Sequence, residues 1–191
     1  MLELAHPLDA IPEHSPLAEA RERRDLTVKQ VAYRSGLTEE EIVWLEDGRL
    51  YRFPSQSAAA LAAAPVDEIV VVEGAHELCV DSTQARVVQC ENWDAGPGAS
   101  LRCGLAALGE DVTRAVVVLA DGPGLDPRAI ERLLARPEPV LAASYDGTRS
   151  HPVVLARSAW GQVPNEGGRA LDPVLVDCSD LTPPGDIDYR R

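Results

Sequence analysis

Residues 114–130 read RAVVVLADGPGLDPRAI: an apolar, β-branched run that stops on an acid, Asp121, breaks on Gly122-Pro123-Gly124, and gives way to an amphipathic segment opening at Asp126. A short β-branched run bounded by turn residues is the signature of a buried strand, and DPRAIERLLAR (126–136) has helical spacing. Strand, tight loop and helix form the unit from which parallel sheets with crossover helices are assembled. In such sheets ligands gather beyond the carboxyl ends of the strands, and Asp121 stands at one of those ends. Its carboxylate is therefore either a strand-terminating turn acid or a hard oxygen ligand suited to Mg2+ and, through the cation, to phosphates.

The same alternation extends on both sides of this stretch. EIVVVEG (68–74) and ARVVQC (85–90) read as strands, GASLRCGLAALG (98–109) as a helix with Leu101, Leu105 and Leu108 at helical spacing, and PVLAASYDG (139–147) and HPVVLA (151–156) as further strands. Strands alternating with helices predict an α/β domain over residues 58–191, with a three-layer, mainly parallel sheet. Residues 1–57 read differently, as a small all-α domain. Pro16 and Leu17 open a first helix that ends near Asp25, a second starts at Thr27, and Gly36 turns the chain. Thr38 with Glu41 forms a capping box for a third helix.

Ala32, Gly36 and Ile42, followed by Glu46-Asp47-Gly48-Arg49, resemble the helix-turn-helix of the phage-repressor-like (Cro/C1-type) DNA-binding family over residues 17–63. The resemblance implies that Arg34, Thr38 and Arg49 face DNA. The first turn of the recognition helix carries Glu39, Glu40 and Glu41, however, and three carboxylates there repel a polyanion. DNA contact is disfavoured on this ground. A protein-contact role or a plain helical packing module is the other reading.

Composition narrows the classes. The chain has 191 residues, 45% of them hydrophobic, and a formal net charge of −13, enough apolar material for a core and no broad basic surface for nucleic acid. No window approaches the roughly 18–20 apolar residues that cross a bilayer, and MLELAHPLDAIPEHSP lacks the pattern of a secretory signal, so a cytoplasmic location is expected. Cys79, Cys90, Cys103 and Cys178 form no CxxC pair and have no zinc-like spacing, which predicts reduced thiols.

Two further stretches bear groups for chemistry. GPGASLR (96–102) offers glycines for close backbone approach and Ser100 at a helix start, which is either a simple cap or an anion site. GDIDYRR (185–191) brings Asp186 and Asp188 close in sequence, either as a solvated tail or as a metal-binding partner for Asp121.

In order along the chain, NWDAGPGASLRCGLAAL, VVVLADGP, SHPVVLARSAW, NEGGRAL and GDID resemble the molybdenum-cofactor nucleotidylyltransferases of the MobA/MocA type, a Rossmann-like NTP transferase family. The resemblance implies transfer of CMP or GMP from CTP or GTP to a molybdopterin-like acceptor, with Mg2+ as cofactor. It implies Asp121 as catalytic metal ligand with Asp186 or Asp188, a nucleotide loop at Gly96, Gly98 and Ser100, and acceptor contacts from His151, Glu166, Gly167 and Arg169. For His151, a strand-start residue bonded to a loop carbonyl is the alternative. Gly168 stands where the family usually has alanine. The family's opening strand and lysine-bearing glycine-rich loop have no counterpart here, and Lys29, in the helical part, is the one lysine in the sequence. The Rossmann-like sheet is therefore expected to be incomplete, and the transferase activity impaired; the alternative is a DNA-binding helix-turn-helix transcriptional regulator with a degenerate nucleotide- or pterin-sensing domain.

Overall fold

A computed structural model describes residues 16–35, 37–46, 55–74, 85–120, 122 and 124–185. Three short helices come first: α1 (Pro16–Arg23), α2 (Val28–Ser35) and α3 (Glu39–Glu46). The alanine-rich α4 (Ser55–Ala63) follows and crosses the expected division at 57/58. The α/β part contains β1 (Ile69–Glu73), β2 (Ala85–Gln89), α5 (Pro97–Ala107), β3 (Arg114–Val117), α6 (Pro127–Leu134), β4 (Val140–Tyr145), β5 (Thr148–Ala156) and β6 (Val174–Asp177).

The capping box at the start of α3 is closed in both directions. The Glu41 backbone N–H donates to Thr38 Oγ1 at 3.1 Å, and the Thr38 N–H donates to Glu41 Oε2 at 2.9 Å. Val31 and Ala32 of α2 and Ile42 and Leu45 of α3 bury against Ala59 and Ala62 of α4. The same cluster takes in Ile69 of β1 and Ala85 of β2, so the helical part and the strands share one core.

The strands are arranged as mixed α/β, not as the mainly parallel sheet that alternation alone predicts. β1 and β2 pair in parallel, from Ile69 with Ala85 to Glu73 with Gln89. A second sheet has the order β3-β5-β4-β6, with β5 antiparallel to both neighbours and β4 parallel to β6. The reason is local. Asp146 and Gly147 have φ of 50° and 78°, the left-handed pair that a two-residue hairpin loop requires, and a loop that short joins only antiparallel strands. Among the described residues no backbone hydrogen bond joins β1 to β3, so the two sheets remain separate.

The period of two along the strands sorts side chains between the covering helices. Ala115 and Val117 of β3, Ala142 of β4 and Val153 and Leu155 of β5 meet Leu101, Leu105 and Leu108 on the α5 side. On the opposite face Leu141, Ala143, Val154 and Val176 pack on Ala129 and Leu133 of α6. Ala60 and Ala64 reach Ile130 and the partly buried Val116 and Val118, and Ser57 Oγ donates to the Leu119 carbonyl at 3.0 Å. Three layers result, with α4 anchored beside the carboxyl end of β3.

The thiols differ from expectation. Cys90, just after β2, and Cys103, in α5, form a disulfide with their Cα atoms 5.9 Å apart. The pairing depends on the crossover that lays α5 against β2, which spacing along the chain does not reveal. Cys178 is a free, buried thiol, and that burial raises its pKa; Cys79 lies outside the described residues. Among the described residues no helix is long and apolar enough to cross a membrane.

Candidate functional site

The start of α5 is shaped by its glycines. Gly96 has φ of 113°, a conformation that favours glycine, and Pro97 occupies the first helical turn, where a missing N–H costs nothing. The Gly98 N–H donates to the Asn165 carbonyl at 3.0 Å. A Cβ on Gly98 would stand 1.8 Å from the Pro164 oxygen, and one on Gly96 would stand 2.8 Å from the Asn165 oxygen. The close approach that these glycines permit is thus by the backbone of residues 164–165. Ser100 is half-buried in the same helical turn.

Two loops singled out separately in the sequence are therefore one structure. Gly167, with φ of 81°, closes a turn by donating its N–H to the Pro164 carbonyl at 3.1 Å, and a Cβ there would lie 3.4 Å from the Gly98 nitrogen. Arg102, one turn into α5, donates to the Val163 carbonyl at 2.9 Å and to Asn165 Oδ1 at 2.8 Å. From β5, Arg149 donates to the Gly168 carbonyl at 2.6 Å and to the Leu171 carbonyl at 3.0 Å. Glu166 is exposed at the tip, and the side chain of Arg169 lies outside the description. At Gly168 a Cβ would make ordinary contact with Leu101, 3.9 Å away, so the alanine usual at this position fits without rearrangement.

Asp121, Asp186, Asp188 and Arg49 lie outside the described residues. The segments that carry the three acids nonetheless touch through their neighbours. The Gly124 N–H donates to the Pro184 carbonyl at 2.8 Å, and a Cβ on Gly122 would stand 3.3 Å from Pro184 Cβ and 3.6 Å from the Gly185 oxygen. Among the described residues no group of three or more His, Cys, Asp or Glu side chains gathers to hold a metal.

Beyond this loop Asp126 is fully buried at the N-cap of α6. It accepts from the Arg128 N–H at 2.9 Å and from the Arg128 guanidinium at 2.6 Å, and the same guanidinium reaches Glu19 of α1 at 3.2 Å. The bond to Asp126 raises the Arg128 pKa. The sequence pattern marks Asp126 only as a helix start, although an Asp-Pro-Arg run signals a cap whose carboxylate has a cation two residues on.

His151 sits at an irregularity in the sheet, where pairing jumps from Ala142 with Val153 to Ala143 with Ser150. Its peptide bond to Pro152 is cis, and its carbonyl accepts from the Tyr145 hydroxyl at 3.4 Å. Burial pushes the Tyr145 pKa upward, so this hydroxyl remains a donor.

Of the residues expected to face DNA, Arg34 and Thr38 make contacts within the protein. Arg34 donates to the Val66 carbonyl at 2.7 Å from a half-buried position, where burial lowers its pKa. Thr38 belongs to the capping box of α3, and Glu39 and Glu40 are exposed on that helix.

Residues 52–171 match the family model of the MobA-like NTP transferase domain. The chain belongs to this family. The matched span runs from the start of α4 to the end of the loop that Arg102 and Arg149 hold, and it includes the α5 glycines and the β3–α6 loop. Two solved structures share the fold of this MobA-like domain. The crystal structure of Rv0371c from Mycobacterium tuberculosis H37Rv is 23% identical, covers 73% of this chain and 82% of its own, and superposes with a TM-score of 0.54. Its homologue from Mycobacterium sp. strain JC1 is 19% identical over 83% of this chain and 85% of its own, with a TM-score of 0.56. The M. tuberculosis protein has also been solved as a complex with manganese, at 21% identity, 65% and 75% coverage, and a TM-score of 0.48. No curated protein matches the sequence.

Proposed function

We propose that this chain is a nucleotidyltransferase-family protein that binds CTP or GTP with Mg2+ and sets the nucleotide beside a pterin-like acceptor. The observation that carries this reading is the family match over residues 52–171, which unites the GPG helix start, the Asp121 loop and the NEGGR loop in one NTP transferase domain. The direct contact between the first and the last of these loops supports a shared site.

Asp121 and one of Asp186 and Asp188 are the residues that would hold the cation, which when bound neutralises phosphate charge. The donor set fits the group. Carboxylate oxygens are the hard ligands that Mg2+ prefers, and the hydrogen bond from the Gly124 N–H to the Pro184 carbonyl brings neighbouring residues of the two segments together. The remaining work falls to positioning. The start of α5, with Gly96 and Ser100, forms the nucleotide side, and Glu166, Gly167 and Arg169 with His151 form the acceptor side. Gly98 joins the two sides, because its N–H holds the Asn165 carbonyl and so faces the neighbouring loop and not a phosphate.

On this reading the chain lacks the family's lysine-bearing glycine loop, which would supply several backbone donors and one cation to the triphosphate. Lys29 is exposed on α2, in the helical part of the chain. Turnover slower by a factor of about 10² to 10⁵ than in a complete enzyme is expected, by comparison with the loss of single oxyanion donors or charged fingers. The test is pyrophosphate release from CTP and GTP with Mg2+ or Mn2+, comparing wild type with Asp121→Asn. Equal rates in the two proteins sink the assignment of Asp121.

A further inference from the structure

We propose that Arg102 is a positioning residue that locks the acceptor-side loop, residues 163–168, onto the nucleotide-side helix start, residues 96–98, so that the two respond as a single wall of the site. The inference rests on the nucleotidyltransferase reading, and it adds a role for a side chain that the ordered motifs do not assign.

The geometry is that of a two-pronged clamp. Arg102 Nη1 reaches the Val163 carbonyl at 2.9 Å and Nη2 reaches Asn165 Oδ1 at 2.8 Å, so one planar guanidinium spans two residues of the loop. Both acceptors are neutral, and the cation is therefore held for its shape and donors more than for an ion pair. The clamp closes the same contact that Gly98 makes from its backbone, where the Asn165 carbonyl accepts at 3.0 Å. Cys103, the next residue, ties this turn of α5 to the end of β2 through its disulfide with Cys90. The fork thus projects from a fixed base. Arg149 holds the far end of the loop at the Gly168 and Leu171 carbonyls, leaving the exposed tip at Glu166 between two anchored ends.

A lysine at position 102 would keep the charge but not the fork, because an ammonium is a compact donor that does not span two acceptors in one plane. This separates positioning from direct attraction of phosphate. If Arg102 acted on the nucleotide by charge, Arg102→Lys would preserve binding; if it acts by fixing the loop, Arg102→Lys behaves like Arg102→Ala.

The experiment measures two quantities on the full chain: the exchange rate of the Gly98 amide, and the affinity for CTP and GTP with Mn2+ by calorimetry. Arg102→Ala and Arg102→Lys are both expected to speed Gly98 exchange about tenfold and to weaken nucleotide binding by about tenfold, the factor that the net contribution of one hydrogen bond gives. Asn165→Ala removes one prong from an exposed side chain and leaves the core intact, and it is expected to give intermediate values of both. Faster exchange with unchanged nucleotide affinity in all three variants overturns the inference, as does preserved affinity in Arg102→Lys alone. Absence of nucleotide binding by the wild-type chain overturns the nucleotidyltransferase reading itself and the inference with it.

Discussion

Gly98 and Asn165 are joined backbone to backbone, N–H to carbonyl at 3.0 Å, at a point where the adjacent Pro164 oxygen would lie 1.8 Å from any Cβ on residue 98. The contact explains why a glycine stands one residue inside a helix, where it weakens the helix by about 0.5–1 kcal/mol relative to alanine. Gly98→Ala is expected to force the 163–167 loop off the helix and to destabilise the fold by about 1–3 kcal/mol, the usual range for overpacking. Gly168→Ala serves as the control, because its Cβ would meet Leu101 at an ordinary 3.9 Å. Denaturant titration of both variants checks the pair, and equal midpoints contradict the close packing described.

The Cys90–Cys103 disulfide closes a loop with a sequence separation of 13. On the chain-entropy account a crosslink of this length stabilises the folded state by about 3 kcal/mol. Thermal unfolding with and without reductant, and of Cys103→Ser, is expected to show this loss in both cases. The variant should also be insensitive to reductant. A wild-type midpoint that ignores reductant means that the bridge is not formed in solution.

How far these relationships can be read in advance depends on their range along the chain. Strands β1 to β5, α5 and α6 announce themselves through short apolar runs and helical spacing such as Leu101-Leu105-Leu108, because secondary structure answers to a residue's near neighbours. The hairpin signal at Asp146-Gly147 is equally local, but it stands inside a run of alternating strands and helices that suggests parallel crossovers, and the turn geometry wins. Arg102 with Asn165, and Cys90 with Cys103, meet only after α5 has been laid across β2 and the chain has returned from β5. Arg34, which the helix-turn-helix resemblance turns toward DNA, donates to the Val66 carbonyl, a partner that lies 32 residues away in sequence. The glycines at 96 and 98 correctly signal close approach, but their type does not say whether a ligand or another loop approaches.

Asp126 supports a prediction about the frame behind the site. Its buried carboxylate caps α6 and receives the Arg128 guanidinium, which also touches Glu19 and so fastens α1 to α6. Asp126→Ala removes both the cap and the charged hydrogen bonds, and a loss of about 2–3 kcal/mol is expected from contributions of that kind. Asp126→Asn keeps an oxygen for the Arg128 N–H and should lose less. Equal losses for the two variants would mean that the cap contributes little beside the charge.

Arg132 and Asp180 give the pH dependence. Arg132 donates to Asp180 Oδ1 at 2.6 Å and to the Asp177 carbonyl at 2.7 Å, which ties α6 to the segment after β6. The bond to Arg132 lowers the Asp180 pKa to about 2, against about 3.9 for an unperturbed aspartate. A carboxylate whose folded pKa is depressed contributes stability that is fully present above the unfolded value and is lost as pH falls through the folded one. The expected outcome is that Asp180 titrates near pH 2 by carbon-detected NMR, and that acid unfolding of the wild type has a component between pH about 4 and about 2 that Asp180→Asn lacks. Because the pair is exposed, salt should weaken this component. An Asp180 that titrates at the value of a free aspartate would show that the Arg132 contact does not persist in solution.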